Sequence, residues 1–190
     1  LIMHTEPKDP NGQDLDAIRE RLGFDEDQFK ISTVKLSIEQ LSVLYNSVDC
    51  TINISDAEGF GLATLESLAT ETPIIVNMTG GLQEQVTDGE NWFGIGIEPC
   101  SKAIIGSQEV PWIYEDRIAG DDLVNAMVKI YEMSEEERSQ MGHKGREHVL
   151  KNYSMSNYIS SWENLLQDIH ERFGSWDTMK KKQWSLHKVL

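Results

Sequence analysis

The sequence is short of positive charge. It carries 17 Lys and Arg against 32 Asp and Glu, a formal net charge of −15. Phosphate backbones are bound by a surplus of Lys and Arg, so the balance argues against nucleic acid as the main partner. It argues equally against a broadly basic, membrane-facing surface. A small phosphate-bearing ligand is not excluded, because backbone N–H groups at a helix N-terminus hold such anions with few cations. Cysteine is scarce too: Cys50 and Cys100 show no spacing of a disulfide framework or a metal knuckle, which reads as a reducing, cytoplasmic setting. His4, His143, His148, His170 and His187 show no ligand spacing, and no metal site is expected. No apolar run approaches the length that spans a bilayer, and no stretch reads as a signal peptide.

What is present is an alternation. Apolar runs at 1–5, 29–35, 50–54, 73–77 and 92–97 read as strands, the first of them buried. Helical spacing occupies 14–22, 37 onward, 61–70 and 81–86. Gly23 stops the first helix, and Ser37 with Gln40 forms a capping-box variant ahead of Ile38, Leu41, Leu44 and Tyr45. Strand and helix alternating through short links predicts a parallel sheet with helices on both faces, a doubly wound α/β fold. The second half differs. Residues 98–115 show no period and read as loop, with Pro99 and Pro111 in it. Three helices follow at 121–132, 134–150 and 155–173. Tyr158, Trp162, Leu165, Leu166 and Ile169 of the last read first as core.

The chemistry concentrates in Ser55-Asp-Ala-Glu-Gly-Phe-Gly-Leu-Ala-Thr-Leu-Glu66. A strand ends before it and a helix begins near Gly61, the position where open α/β sheets bind ligands. Gly59 and Gly61 let a backbone approach a ligand without an intervening Cβ. Free N–H groups at Gly61, Leu62 and Ala63 would face an anion, aided by the helix dipole. Glu66, a little over one turn into the helix, can accept two hydrogen bonds, as a ribose diol asks. Glu58 can accept from sugar hydroxyls on the other side of the phosphates. Taken alone, the turn fits ligand binding and an ordinary helix start equally well.

Five segments in order narrow this. Glu58 and Glu66 stand in a Glu-x7-Glu spacing, followed by Glu66-Ser-Leu-Ala-Thr-Glu-Thr-Pro-Ile-Ile-Val. Thr79-Gly80-Gly81-Leu82 with Glu84 leads to Val86-Thr87-Asp88-Gly89. Upstream lies Leu44-Tyr45-Asn-Ser-Val-Asp49, and downstream Gly145-Arg146 to Tyr153-Ser154. Together they resemble the glycosyl transferases group 1 family, retaining enzymes of the GT-B fold, over roughly residues 31–164. The resemblance implies a Rossmann-like C-terminal half with additional C-terminal helices, binding a UDP- or GDP-sugar donor. By that resemblance Glu58 serves catalysis by contacting the transferred sugar. The backbone of Gly59, Phe60, Gly61, Leu62 and Ala63 holds sugar and diphosphate, Glu66 the ribose, and Gly80 and Gly81 shape the neighbouring loop. The base would lie near residues 33–36. No metal or other cofactor is implied. The reaction implied is hexosyl transfer to a glycan, lipid or protein acceptor with retention, through an oxocarbenium-like transition state.

The sequence departs from the family in four places. The Arg and Lys that neutralise the diphosphate have no counterpart, and Lys8 and Lys35 are poor substitutes by position. The acceptor-binding N-terminal domain is missing, which with the Leu1 start suggests a piece of a longer enzyme, inactive alone. Thr70-Glu71 replaces the usual pair ending in Gly, which reads as a harmless helix-end change. The link after residue 97 is long and holds Trp112 and Tyr114. The expected organisation is a donor domain over 1–153, with 154–190 packing toward the acceptor domain. Lys180–Lys182 beside Trp176 and Trp184 reads as a solvated face, with contact to an anionic membrane as the lesser alternative. Rival functions are another GT-B enzyme, such as a nucleotide-sugar epimerase or phosphorylase, and a non-catalytic nucleotide-sugar-binding fragment.

Overall fold

The computed structural model describes residues 1–10, 12–175 and 177–178. The membrane-contact reading of Trp176, Lys180–Lys182 and Trp184 lies outside them, as does His187. Two compact units, Leu1–Val43 and Leu44–Leu190, divide within a helix.

In the first unit, β1 (Ile2–His4) and β2 (Lys30–Ser32) pair in parallel, with Met3 opposite Ile31. Helix α1 (Leu15–Leu22) joins them. Asp14 accepts from the Ala17 N–H at its start, and Gly23 ends it at φ 72°. The expected burial of β1 does not hold: Ile2 is 42% exposed, His4 is exposed and Met3 is only partly buried. Helix α2 (Ile38–Asn46) opens on the expected reciprocal cap, Ser37 N donating to Gln40 Oε1 at 2.9 Å and Gln40 N to Ser37 Oγ at 3.3 Å. Ile38, placed on its apolar face by spacing, is exposed.

The second unit is built on β3 (Thr51–Asn53), β4 (Ile74–Asn77) and β5 (Ile95–Ile97), all parallel with β4 central. Every β4 residue is buried. Successive side chains of a strand point to opposite faces. Ile74 and Val76 join Leu68, Leu82, Val86 and Phe93 in one core cluster. Ile75 joins Ile97, Ala126 and Ile130 in another. The sheet is therefore apolar on both faces, as the alternation requires, with α3 (Leu62–Ala69) and α4 (Leu82–Val86) on one side and α5 (Gly120–Glu132) on the other. Helix α6 (Glu135–Asn152) begins with a complete capping box between Ser134 and Glu137. It lies against α3 through Gly142 and Gly145: a Cβ at 145 would sit 2.7 Å from Leu68 Cδ2, and one at 142 would overlap the Glu71 carbonyl.

Three further expectations fail. The stretch read as loop after residue 98 holds an antiparallel hairpin, β6 (Ser101–Ile105) with β7 (Ile113–Arg117). Both strands are largely exposed, so neither carries the apolar alternation that marks a half-buried strand. The apolar stripe of α7 (Met155–Phe173) is not core: Trp162 is 48% and Leu166 58% exposed, and no α7 residue is buried. Amphipathic spacing gives a helix a face but does not name what covers it. Lastly, Glu71 is not a harmless replacement. Its φ is 61°, the left-handed region that a side chain disfavours.

Candidate functional site

The turn from β3 to α3 rests on the loop from β4 to α4. A Cβ on Gly80 would sit 1.7 Å from the Glu58 carbonyl oxygen. One on Gly81 would sit 2.6 Å from the Phe60 oxygen and 2.9 Å from that of Gly59. Three successive carbonyls, at 58, 59 and 60, thus face the Gly80–Gly81 backbone. The Gly81 N–H donates to the first of them at 3.4 Å. In a trans peptide the N–H points opposite the preceding C=O. The N–H groups of Gly59, Phe60 and Gly61 therefore face away from this floor. Consecutive outward N–H groups form an anion-binding concavity.

The glycines divide by role. Gly61 is buried with φ 90°, and a Cβ there would meet Leu82 Cδ2 at 2.6 Å. Gly80 also needs the left-handed region, at φ 50°. Gly59 is exposed, and a Cβ there would meet nothing within 4 Å. Its small size leaves space on the outward side. Gly61 is the N-cap of α3 and no side chain caps that end, so the first-turn N–H groups, those of Leu62 and Ala63 included, look toward the same side. Leu62 and Phe60 are exposed, with Phe60 set edge-on to Tyr153 at 6.1 Å.

Buried polar groups orient α3. Thr51 and Ser67 hydroxyls meet at 2.6 Å, Ser67 donates to the Thr72 carbonyl at 2.9 Å, and Asn53 Nδ2 donates to Thr64 at 3.3 Å. With Thr64, Ser67 and Leu68 turned inward, Glu66 is left exposed. Tyr45 Oη donates to Glu66 Oε2 at 2.9 Å. Burial, followed by the Glu66 carboxylate, pushes the Tyr45 hydroxyl well above the usual phenol range, so it remains a donor. Tyr45 is itself fixed by Thr72, whose hydroxyl donates to the Tyr45 carbonyl at 3.0 Å. One Glu66 oxygen is held and the other is available. Glu58 is half-buried in the turn.

A network missed in the sequence joins the hairpin to both loops. Asn77, at the end of β4, donates from Nδ2 to the carbonyls of Ser55 at 2.9 Å and Asp116 at 2.8 Å. Thr79 donates to Asp116 Oδ2 at 2.8 Å, and the Asp116 N–H donates to the Asp56 carbonyl at 2.7 Å. Arg117 pairs with Asp56 at 2.8 Å and Lys102 with Asp116 at 3.3 Å. The Thr79 hydrogen bond and then Lys102 hold the Asp116 carboxyl below its usual range. One signal was available: Asn77 is polar at the end of an otherwise apolar strand.

Lys8 pairs with Asp14 at 3.5 Å within the first unit, to which residues 33–36 also belong. Among the described residues no group of His, Cys, Asp or Glu is placed to hold a metal ion.

Residues 30–148, well over half of the chain, match the family described as Glycosyl transferases group 1. The chain belongs to this family. An uncharacterized glycosyltransferase of Methanocaldococcus jannaschii is 24% identical over 151 residues, covering 80% of this chain and 28% of the relative. Among solved structures, sucrose-phosphate synthase from Thermosynechococcus elongatus superposes with a TM-score of 0.64 at 20% identity, over 90% of this chain and 38% of its own. Anabaena HepE, solved with UDP and glucose, does so with 0.59 at 18% identity, over 81% and 35%. These likenesses show the Rossmann-like fold of a GT-B glycosyltransferase half. The chain spans between about a quarter and two-fifths of the length of these relatives.

Proposed function

We propose that this glycosyl transferases group 1 chain is the donor half of a retaining, metal-independent hexosyltransferase. It takes sugar from a UDP- or GDP-sugar and works with an acceptor half that binds a glycan, lipid or protein. One observation carries the reading: the carbonyls of Glu58, Gly59 and Phe60 face Gly80 and Gly81, so successive N–H groups face outward beside Glu58 and Glu66. That arrangement suits a diphosphate, with Glu58 toward the sugar and Glu66 toward the ribose. Preorganised N–H groups stabilise charge that develops on the leaving diphosphate. The HepE structure, which holds UDP and glucose, supports the ligand class. We read residues 1–153 as the donor domain and 154–190 as packing toward the acceptor half. The exposed apolar stripe of α7 supports the second part. The proposed setting is the cytoplasm; among the described residues no helix is long and apolar enough to cross a membrane.

A second reading has one observation behind it. Neither 55–66 nor 79–89 contains Lys or Arg, which favours a nucleotide-binding piece without activity of its own. Calorimetric titration with UDP, GDP, ADP and their sugar conjugates tests the donor site. Selective binding that Glu66→Ala weakens supports it, whereas binding untouched by that substitution counts against the ribose role. Product analysis with a labelled donor, with the acceptor half present, separates transfer from epimerisation, phosphorolysis and mere binding.

A further inference from the structure

Gln85 lies directly beneath the turn. Its side chain is 1% exposed in α4, between the core residues Leu82 and Val86. Its Nε2 donates to the Phe60 carbonyl oxygen. Its Oε1 is buried, and no described residue gives it a hydrogen bond. The assignment of the two amide atoms follows from chemistry, since the reverse would set two oxygens against each other. Burying an amide with one atom unpaired is unfavourable, and an apolar residue would fit this helix face without that cost. The compensating contact is the one to Phe60.

That contact has a consequence for the turn. It draws the Phe60 carbonyl toward α4, and the trans peptide sends the Gly61 N–H the opposite way. Gly61 occupies the left-handed region at the cap of α3, where one peptide rotation would exchange the two directions. The Gly81 backbone holds the Glu58 carbonyl, but for Phe60 the polar partner is Gln85. We infer that Gln85 is a positioning residue of the site, which fixes the Phe60–Gly61 peptide so that the Gly61 N–H is presented to the donor diphosphate. This inference rests on the donor-site reading. It adds a residue that touches no ligand and whose effect is confined to the phosphate end.

Binding measurements on the full chain separate this role from a merely structural one. Wild type, Gln85→Leu and Gln85→Glu are titrated with the preferred nucleoside diphosphate and with its nucleoside. Leu preserves volume and removes the donor. We expect about a tenfold loss for the diphosphate and an unchanged nucleoside affinity. A buried Glu takes up a proton more readily than usual, and its protonated form can donate to the Phe60 carbonyl. Affinity of Gln85→Glu, relative to wild type at the same pH, should be low above its raised pKa and recover as pH falls through it. The Glu series keeps the inference testable should the Leu variant fold poorly. Equal losses for nucleoside and diphosphate, no loss, or a flat pH ratio would overturn the role of Gln85 and leave the donor site standing. A wild-type chain that binds nucleosides and no diphosphate would instead remove the donor reading, and this inference with it.

Discussion

The two sides of the Glu58–Gly61 turn are built differently. On the floor side, against Gly80, Gly81 and Gln85, there is no room for one methyl group. On the outward side Gly59 meets nothing within 4 Å, and Phe60 and Leu62 are half or more exposed. The difference shows where the site gets its order. The floor specifies the direction of each peptide, and the outward side is left open. Filling a glycine of the floor costs stability, whereas releasing a peptide from the floor or changing the outward side costs affinity.

Substitution at Gly80 and Gly59 tests that contrast most strongly. Gly80→Ala sets a Cβ against the Glu58 carbonyl in a left-handed backbone and should cost about 3 kcal/mol or more. Gly59→Ala should change stability by less than about 0.5 kcal/mol and weaken diphosphate binding. Chemical unfolding reads the first effect and calorimetry the second. Equal unfolding midpoints for Gly80→Ala and wild type would mean that the two loops separate freely. Next in size, Glu66→Ala removes a charge-assisted acceptor from the outward side, and should weaken nucleotide binding by about 1.5–3 kcal/mol with an unchanged melting temperature. A melting temperature that falls in step with affinity would place Glu66 among the structural residues.

Outside the site, Glu71→Gly isolates the cost of a left-handed backbone. The φ of 61° costs a side chain about 1 kcal/mol that glycine does not pay. The exposed contacts of Glu71 with Arg146 and His143, each at 3.6 Å, offset little of it. Thermal melting should therefore show a gain of about 1 kcal/mol with nucleotide affinity untouched. A loss would mean that the ion pairs outweigh the backbone. The smallest effect is expected for Tyr45→Phe, which frees Glu66 Oε2. About a threefold loss of nucleotide affinity should follow, and none in a Glu66→Ala background. Additive losses would show that Tyr45 acts elsewhere.

The parts of this molecule differ in how far the sequence discloses them. The Ile74-Ile75-Val76 run announces a strand buried on both faces, and the packing divides it as period two requires. Gly80 and Gly81 mark a turn, yet nothing in the sequence says that three carbonyls lie on them. The β6–β7 hairpin was hidden because its strands are largely exposed and carry no apolar alternation. Gln85 acts through one hydrogen bond, to Phe60 25 residues away, and Asn77 through two, to Ser55 and Asp116, 22 and 39 residues away. Local periodicity does not encode such pairs. The α7 stripe has helical spacing and reads as core, but spacing says nothing of what covers a face, and no α7 residue is buried.

Backbone amide NMR of the full chain, titrated with UDP, GDP or ADP and with the matching nucleoside, reads directly whether the Gly59, Phe60 and Gly61 N–H groups hold the donor diphosphate. Saturable shifts at Gly59, Phe60 and Gly61 are expected with the diphosphate and none with the nucleoside. Saturable binding that shifts amides elsewhere and leaves these three unmoved would contradict that role.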